Sequence, residues 1–374
     1  MARDGGAASS QNLDDNRIEP LIARNPPLSL PYGPRTIEAR RLAELSRAAG
    51  LGESPDSALA LGELALKLLG GDEHTPLFAD ALRWQGSVLR DRGEPSAARP
   101  FYEQSLEVST AIDYGSGRAH ALNCLGTLAQ RRGELDDAAR FYLGALADAE
   151  RCAEGRLLGM IQQNLGIVAD IRGNSASALA HYRVSLRTFE RSNDLQYASW
   201  VLNNLGVLHV KEGRFTDASA AYHRALLIAC ERGDLMSQGI LEENRGELRL
   251  IENELEGAAI SIDRALSIAR QRNDRGREAA ALKLRGALQR LLGYPTAAAE
   301  TLKFALTLSP SSEDALLEAE LLYQFGAALS AVGDDDRARD VWHRSMKGFE
   351  RINARQWVGR LQKRLTEGGT HRYF

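Results

Sequence analysis

His120 and Cys124 stand four residues apart, a spacing that puts an imidazole and a thiol on one side of a helix, where they could share a metal ion. A structural zinc needs two further ligands, and none follows at a metal-type spacing. The pair therefore reads as a solvated histidine and a packed thiol. A phosphate-cradling loop would run its glycines into Lys-Ser or Lys-Thr, but Gly50-Leu-Gly52 continues otherwise. His-Glu-x-x-His is absent, and the serines, histidines and aspartates are scattered without a nucleophile elbow. No catalytic residue, metal or cofactor is expected, and the chain does not read as an enzyme.

The whole-chain balance narrows the partners. The formal net charge is −3 over 374 residues, with 26% of them charged, so no strong field draws the chain to nucleic acid or an anionic membrane. Met1 to Gln11 are small and polar, which is not the pattern of a signal peptide. No apolar run approaches the ~20 residues that span a bilayer, so no membrane insertion is expected. Cys124, Cys152 and Cys230 are three in number and lack metal spacing. They read as buried or half-buried thiols kept reduced, and the expected location is the cytoplasm.

What positions these residues is a repeat. Glycine recurs at Gly86, Gly126, Gly166, Gly206, Gly246, Gly286 and Gly326, always 40 residues apart. Twelve residues after each comes an alanine, from Ala98 and Ala138 through Ala218 to Ala338. Sixteen after the glycine sits a large side chain: Tyr102, Tyr142, Tyr182, Tyr222, Ile262, Leu302 or Trp342. A weaker copy lies upstream at Leu42, Leu45, Ala58 and Ala65-Leu66, with Ser46 in the glycine's place.

Each repeat spells two helices. Leu122, Leu125 and Leu128 make one apolar face, and Gly126 cuts a notch in it for a neighbouring helix. A second glycine, such as Gly93, Gly133 or Gly213, stops the first helix in a left-handed conformation. Ser96, Asp136, Thr216, Thr296 and Asp336 then sit where N-caps of the second helix belong. Asn193-Asp194, Gly233-Asp234 and Asn273-Asp274 close one repeat and cap the next, and Pro310 acts as a stop.

The string Leu202-Asn203-Asn204-Leu205-Gly206, followed by Gly213, Ala218, Tyr222 and Ala225-Leu226, resembles the tetratricopeptide signature. Its 40-residue period is similar to the longer repeats of kinesin light chains and of bacterial signal-transduction regulators. The resemblance implies an all-α, right-handed superhelical solenoid of about eight helix–turn–helix repeats with a C-terminal capping helix. The domain plan is a flexible Pro-rich arm over 1–35, then an array over 36–350. Its repeats lie near 39–70, 79–110, 119–150, 159–190, 199–230, 239–270, 279–310 and 319–350. A capping helix and tail follow over 351–374. In that helix Trp357, Leu361 and Leu365 share one face, with Arg355, Arg360, Lys363 and Arg364 on the other.

In resembling proteins the first helix of each repeat lines a concave groove. That carries candidate contacts onto the rows three and two residues before the glycine. The first row reads Arg83, Asn123, Gln163, Asn203, Glu243, Lys283, Tyr323, and the second includes Cys124, Asn164, Asn204 and Asn244. A side-chain amide both donates and accepts, so it can bond the backbone of an extended segment without reading its side chains. The same amides could instead tie adjacent repeats together. Trp200 and Val207 would floor the groove, and Arg83, Arg90, Arg131 and Lys211 would receive acidic groups. Glu242 and Arg245 interrupt the leucine pattern and read as a pair across one helix. The expected function is a non-enzymatic interaction scaffold or adaptor for another protein or peptide segment. The alternative is a regulatory sensor that binds a short peptide or small molecule and controls a partner.

Overall fold

The structure, a computed structural model, describes residues 34–50, 55–308, 315–352 and 354–367. Among these residues there are seventeen helices and no strand. They are α1 (Pro34–Gly50), α2 (Pro55–Leu68), α3 (Pro76–Asp91), α4 (Pro95–Ala111), α5 (Gly115–Arg131), α6 (Leu135–Arg151), α7 (Gly155–Ile171) and α8 (Ser175–Arg191). There follow α9 (Leu195–Lys211), α10 (Phe215–Glu231), α11 (Leu235–Ile251), α12 (Leu255–Gln271), α13 (Arg275–Leu291), α14 (Pro295–Leu308), α15 (Ala315–Val332), α16 (Asp335–Arg351) and α17 (Arg355–Glu367). The fold class is an all-α repeat solenoid. The chain divides into two compact units, Met1–Val168 and Ala169–Phe374, the division falling inside α7. The arm expected over 1–35 lies outside the described residues apart from Pro34 and Arg35, which open α1; Pro310 lies outside them too.

In the first unit, α3 packs on α4 and α5 on α6 as hairpins. The small and large positions of the repeat explain why. The ring of Tyr142, fully buried, lies so close over Gly126 that a Cβ there would come within 2.6 Å of it. Tyr102 covers Gly86 in the same way, at 2.8 Å. Burying such a ring is worth on the order of 2 kcal/mol, and only glycine leaves room for it. The first hairpin exchanges the sizes. Ser46 stands in the glycine position and donates to Ala58 O at 2.6 Å, while Gly62 takes the ring position. Gln85 of the next hairpin fills the space, bonding Leu59 O at 3.3 Å and lying where a Cβ on Gly62 would be.

The second unit repeats this logic. Tyr222 lies where a Cβ on Gly206 would be, Ala218 is fully buried, and Trp342 comes within 2.5 Å of where a Cβ on Gly326 would stand. Within hairpins the turn glycines are left-handed, for example Gly213 at φ 72° and Gly133 at φ 77°. Between hairpins the left-handed residue is Asp113, Ala153, Asn193, Gly233 or Asn273. Asp234 and Asp274 then cap as expected, accepting from Ser237 N and Arg277 N at 3.0 Å.

Three expectations are corrected. Ser96, Asp136, Thr216, Thr296 and Asp336 are not N-caps: α4, α6, α10, α14 and α16 start one residue earlier, and the capping positions fall to residues such as Glu94, Glu134, Arg214 and Asp334. One residue after the left-handed glycine, such as Glu134 at φ −77° and ψ 65°, already reverses the chain. In the capping helix, Leu361 is fully buried and Trp357 stacks on Phe349 at 5.0 Å, but Arg364 is not on an outer face. Its guanidinium lies 4.6 Å from the Trp342 ring and donates to Tyr323 Oη at 3.0 Å. Finally, Ala315–Val332, at 18 residues, is long and apolar enough to cross a membrane by length and composition; 61% of it is buried inside this fold.

Candidate functional site

In the first unit, the period places Asn123 on α5 and Asn164 on α7. Asn164 Nδ2 donates to Asn123 Oδ1 at 3.0 Å, and Asn123 is buried. Gln163, half-buried beside Asn164, makes no hydrogen bond within the described residues. The basic candidates are engaged locally. Arg83 donates to Asp80 at 2.9 Å and lies 5.6 Å from the Trp84 ring; Arg90 grips Asp91 at 2.8 and 3.0 Å. Arg131 is exposed at the last turn of α5, where a cation suits the helix dipole.

His120 is not the solvated histidine expected. It is half-buried, and its Nε2 lies 3.3 Å from Glu154 Oε2. Burial lowers its pKa, with Arg83 adding to that, while Glu154 pulls the other way. Cys124 is packed, as its spacing suggests, and burial pushes the thiol up, whereas Cys152 and Cys230, expected to be buried or half-buried, are exposed at helix ends. Among the described residues no group of three or more His, Cys, Asp and Glu could hold a metal ion.

In the second unit the amide pairing recurs. Asn244 Nδ2 donates to Asn203 Oδ1 at 2.7 Å, joining α11 to α9. Trp200, 37% exposed, also bridges these helices, its Nε1 bonding Ser237 Oγ at 3.2 Å. Tyr197 meets the Trp200 ring edge-on at 4.7 Å and stacks on Phe189 at 5.0 Å. Val207 is half-buried against the core, and Lys211 pairs with Asp170 at 2.7 Å. Asn204 is half-buried and, like Gln163, unengaged among the described residues. Tying adjacent repeats and presenting an amide are thus compatible. Each paired asparagine uses one donor or acceptor and retains others.

Three helices further along line a polar cavity of about 370 Å³ that is open to solvent. From α11 come Glu243, Asn244 and Glu247; from α13, Arg277, Ala280, Lys283 and Leu284; from α15, Leu316, Leu317 and Glu320. Arg277 Nη1 lies 3.1 Å from Glu243 Oε2, and Lys283 pairs with Glu320. Glu243 Oε1 is buried and has no hydrogen-bond partner among the described residues. Burial raises the Glu243 carboxyl to about 7, against the opposing pull of Arg277. Burial works to lower Lys283, but Glu320 and Glu247 outweigh it and hold the ammonium above its ordinary value. Sequence reasoning set Glu243 and Lys283 in the contact row yet passed over them for the amides. The signal available was charge in two successive members of that row.

Glu242, beside this cavity in sequence, belongs to the packing. It is 3% exposed and accepts from Ser261 Oγ at 2.8 Å, from Arg245 at 3.2 Å and from Arg264 at 3.2 Å. The expected pairing of Glu242 with Arg245 is present, and Arg264 extends it.

Residues 117–191 and 199–232 match family models of the tetratricopeptide repeat. No curated protein matches the chain in sequence. Aspartyl phosphate phosphatase F from Bacillus subtilis overlays with a TM-score of 0.61 at 11% identity, over 96% of this chain and 90% of that one. The Cut9-Hcn1 hetero-tetramer of the APC/C gives 0.57 at 16% identity, over 87% of this chain and 55% of the other. Yeast Tom70 gives 0.54 at 15% identity, over 94% and 75%. At these identities the likeness is one of fold.

Proposed function

We propose that the chain, a tetratricopeptide repeat protein, is a non-enzymatic adaptor that holds an extended segment of a partner protein along the first helices of its repeats. Repeats of this family mediate protein–protein binding, and the chain is an interaction scaffold in that general sense. The observation that carries the finer reading is the recurrence of the amide pair. Asn123–Asn164 in one unit and Asn203–Asn244 in the other hold the same register, with Gln163 and Asn204 unengaged beside them. Within each unit, amides already held in place can donate to and accept from peptide groups of an extended chain at little entropic cost. Trp200 beside them offers a half-open aromatic ring as an anchor. Three free thiols, Cys124, Cys152 and Cys230, suit a reducing compartment, and the cytoplasm is the proposed setting.

The test uses the two unengaged amides, whose removal disturbs no internal bond. Wild-type protein and a Gln163→Ala/Asn204→Ala variant are immobilised and exposed to extract of the native cell. A protein retained by the wild type and lost by the variant, at unchanged helical content, supports the reading. Equal retention by both rejects it.

A further inference from the structure

We propose that the cavity lined by α11, α13 and α15 is a subsite for one cationic side chain, lysine or arginine, of the segment the array binds. This rests on the adaptor reading above and names the chemistry that one part of it selects. The lining holds four carboxylates, Glu243, Glu247, Asp274 and Glu320, against two cations, Arg277 and Lys283. Both cations are already taken, Arg277 by Glu243 Oε2 and Lys283 by Glu320. Asp274 is spent on the backbone N–H of Arg277. What remains without a partner is carboxyl oxygen, which an entering cation would hold in its charged form. Glu243, only 8% exposed, keeps one oxygen without a hydrogen-bond partner, and Glu247 makes no hydrogen bond or ion pair among the described residues.

The rest of the lining fits the stem of such a side chain. Ala280, Leu284, Leu316 and Leu317 give the cavity apolar wall beside its carboxylates. Lysine and arginine lay their methylenes on apolar surface while the charged head reaches polar partners. An ammonium brings three donors and a guanidinium five, enough to engage Glu247 and the free oxygen of Glu243 together. An acidic side chain would bring a further carboxyl group to a lining that already holds four. An apolar one would leave buried carboxylate oxygens without water or partner, which is costly.

The probe is an array of acetylated, amidated nine-residue peptides with degenerate flanks and a fixed central residue: arginine, lysine, leucine, asparagine or glutamate. Fluorescent full-length protein is applied as wild type, as E243Q/E247Q and as E247Q alone, the last altering only an exposed side chain. Each variant is first checked for helical content. The expected result is about a tenfold preference of the wild type for arginine or lysine over leucine and glutamate, the size of one charge-assisted contact. It should shrink to about twofold in E243Q/E247Q and fall partway in E247Q. Peptides bound without preference for a cation would overturn the subsite and leave the adaptor reading standing. A preference that survives in E243Q/E247Q would overturn its placement in this cavity. No binding of any peptide would reject both.

Discussion

Asn244 Nδ2 lies 2.7 Å from Asn203 Oδ1, so two residues 41 positions apart join consecutive repeats through a single amide–amide bond. Removing either partner strands a half-buried polar group. Asn203→Ala is expected to lower stability by about 1 kcal/mol in urea unfolding. Asn203→Ala/Asn244→Ala should cost less than the sum of the single changes, with a coupling of about 0.5–1 kcal/mol. Strict additivity would mean the bond contributes nothing.

Ala153 occupies a left-handed conformation at φ 55°, where the equivalent turns use Asp113, Asn193, Gly233 and Asn273. A Cβ in that region is strained, while glycine there loses more chain entropy on folding. Ala153→Gly should therefore stabilise the protein by about 0.5–1 kcal/mol, read as a raised unfolding midpoint in urea. A loss of stability would show that the turn carries no strain.

The hairpins were legible because their contacts are local: Gly126 and Tyr142, or Gly206 and Tyr222, are always sixteen residues apart, so one spacing records one contact. The N-caps were misplaced by two residues because any of several polar residues after the turn satisfies the same pattern. Arg364 was set on the wrong face because helical spacing does not reveal that Trp342 and Tyr323 present rings to it. The amides were found, but their bonding to each other was one of two readings that spacing alone left open. The cavity was hidden for a different reason. Glu243, Arg277 and Glu320 come from three helices, and their pairing exists only once those helices pack.

Glu242 stands where neighbouring repeats place Leu202 and Leu282, and Arg245 where one places Leu205. Glu242→Ala leaves Arg245 largely buried without its carboxylate, and a cost of about 3 kcal/mol is expected. Glu242→Leu/Arg245→Leu removes both charges and restores the apolar pattern. Its stability in urea should equal or exceed that of the wild type. A double variant less stable than the wild type would show that the ion pair is a net gain.

Burial raises the Glu243 carboxyl from 4.5 to about 7, with Arg277 and Lys283 opposing the rise and Asp274 adding to it. The folded state therefore holds this proton more tightly than the unfolded chain. That stabilisation is complete below about pH 4.5 and is lost as pH rises through about 7. Glu243→Gln has no such proton to lose. The stability of the variant relative to the wild type should climb between pH 5 and pH 8, by at most about 3 kcal/mol. A difference that stays flat across this range would place the carboxyl in an ordinary environment.

The adaptor reading is tested most directly by asking which helix face a partner touches. A photo-crosslinking residue, p-benzoylphenylalanine, is placed at Trp200 on α9 or at Leu227 on α10, each exposed to solvent, at 37% and 51%. Both variants are irradiated in native extract, and adducts are resolved by mass spectrometry. The account predicts one adduct, of the same protein in every replicate, from position 200 and none from position 227. Adducts from position 227 alone, or from neither position, would contradict it.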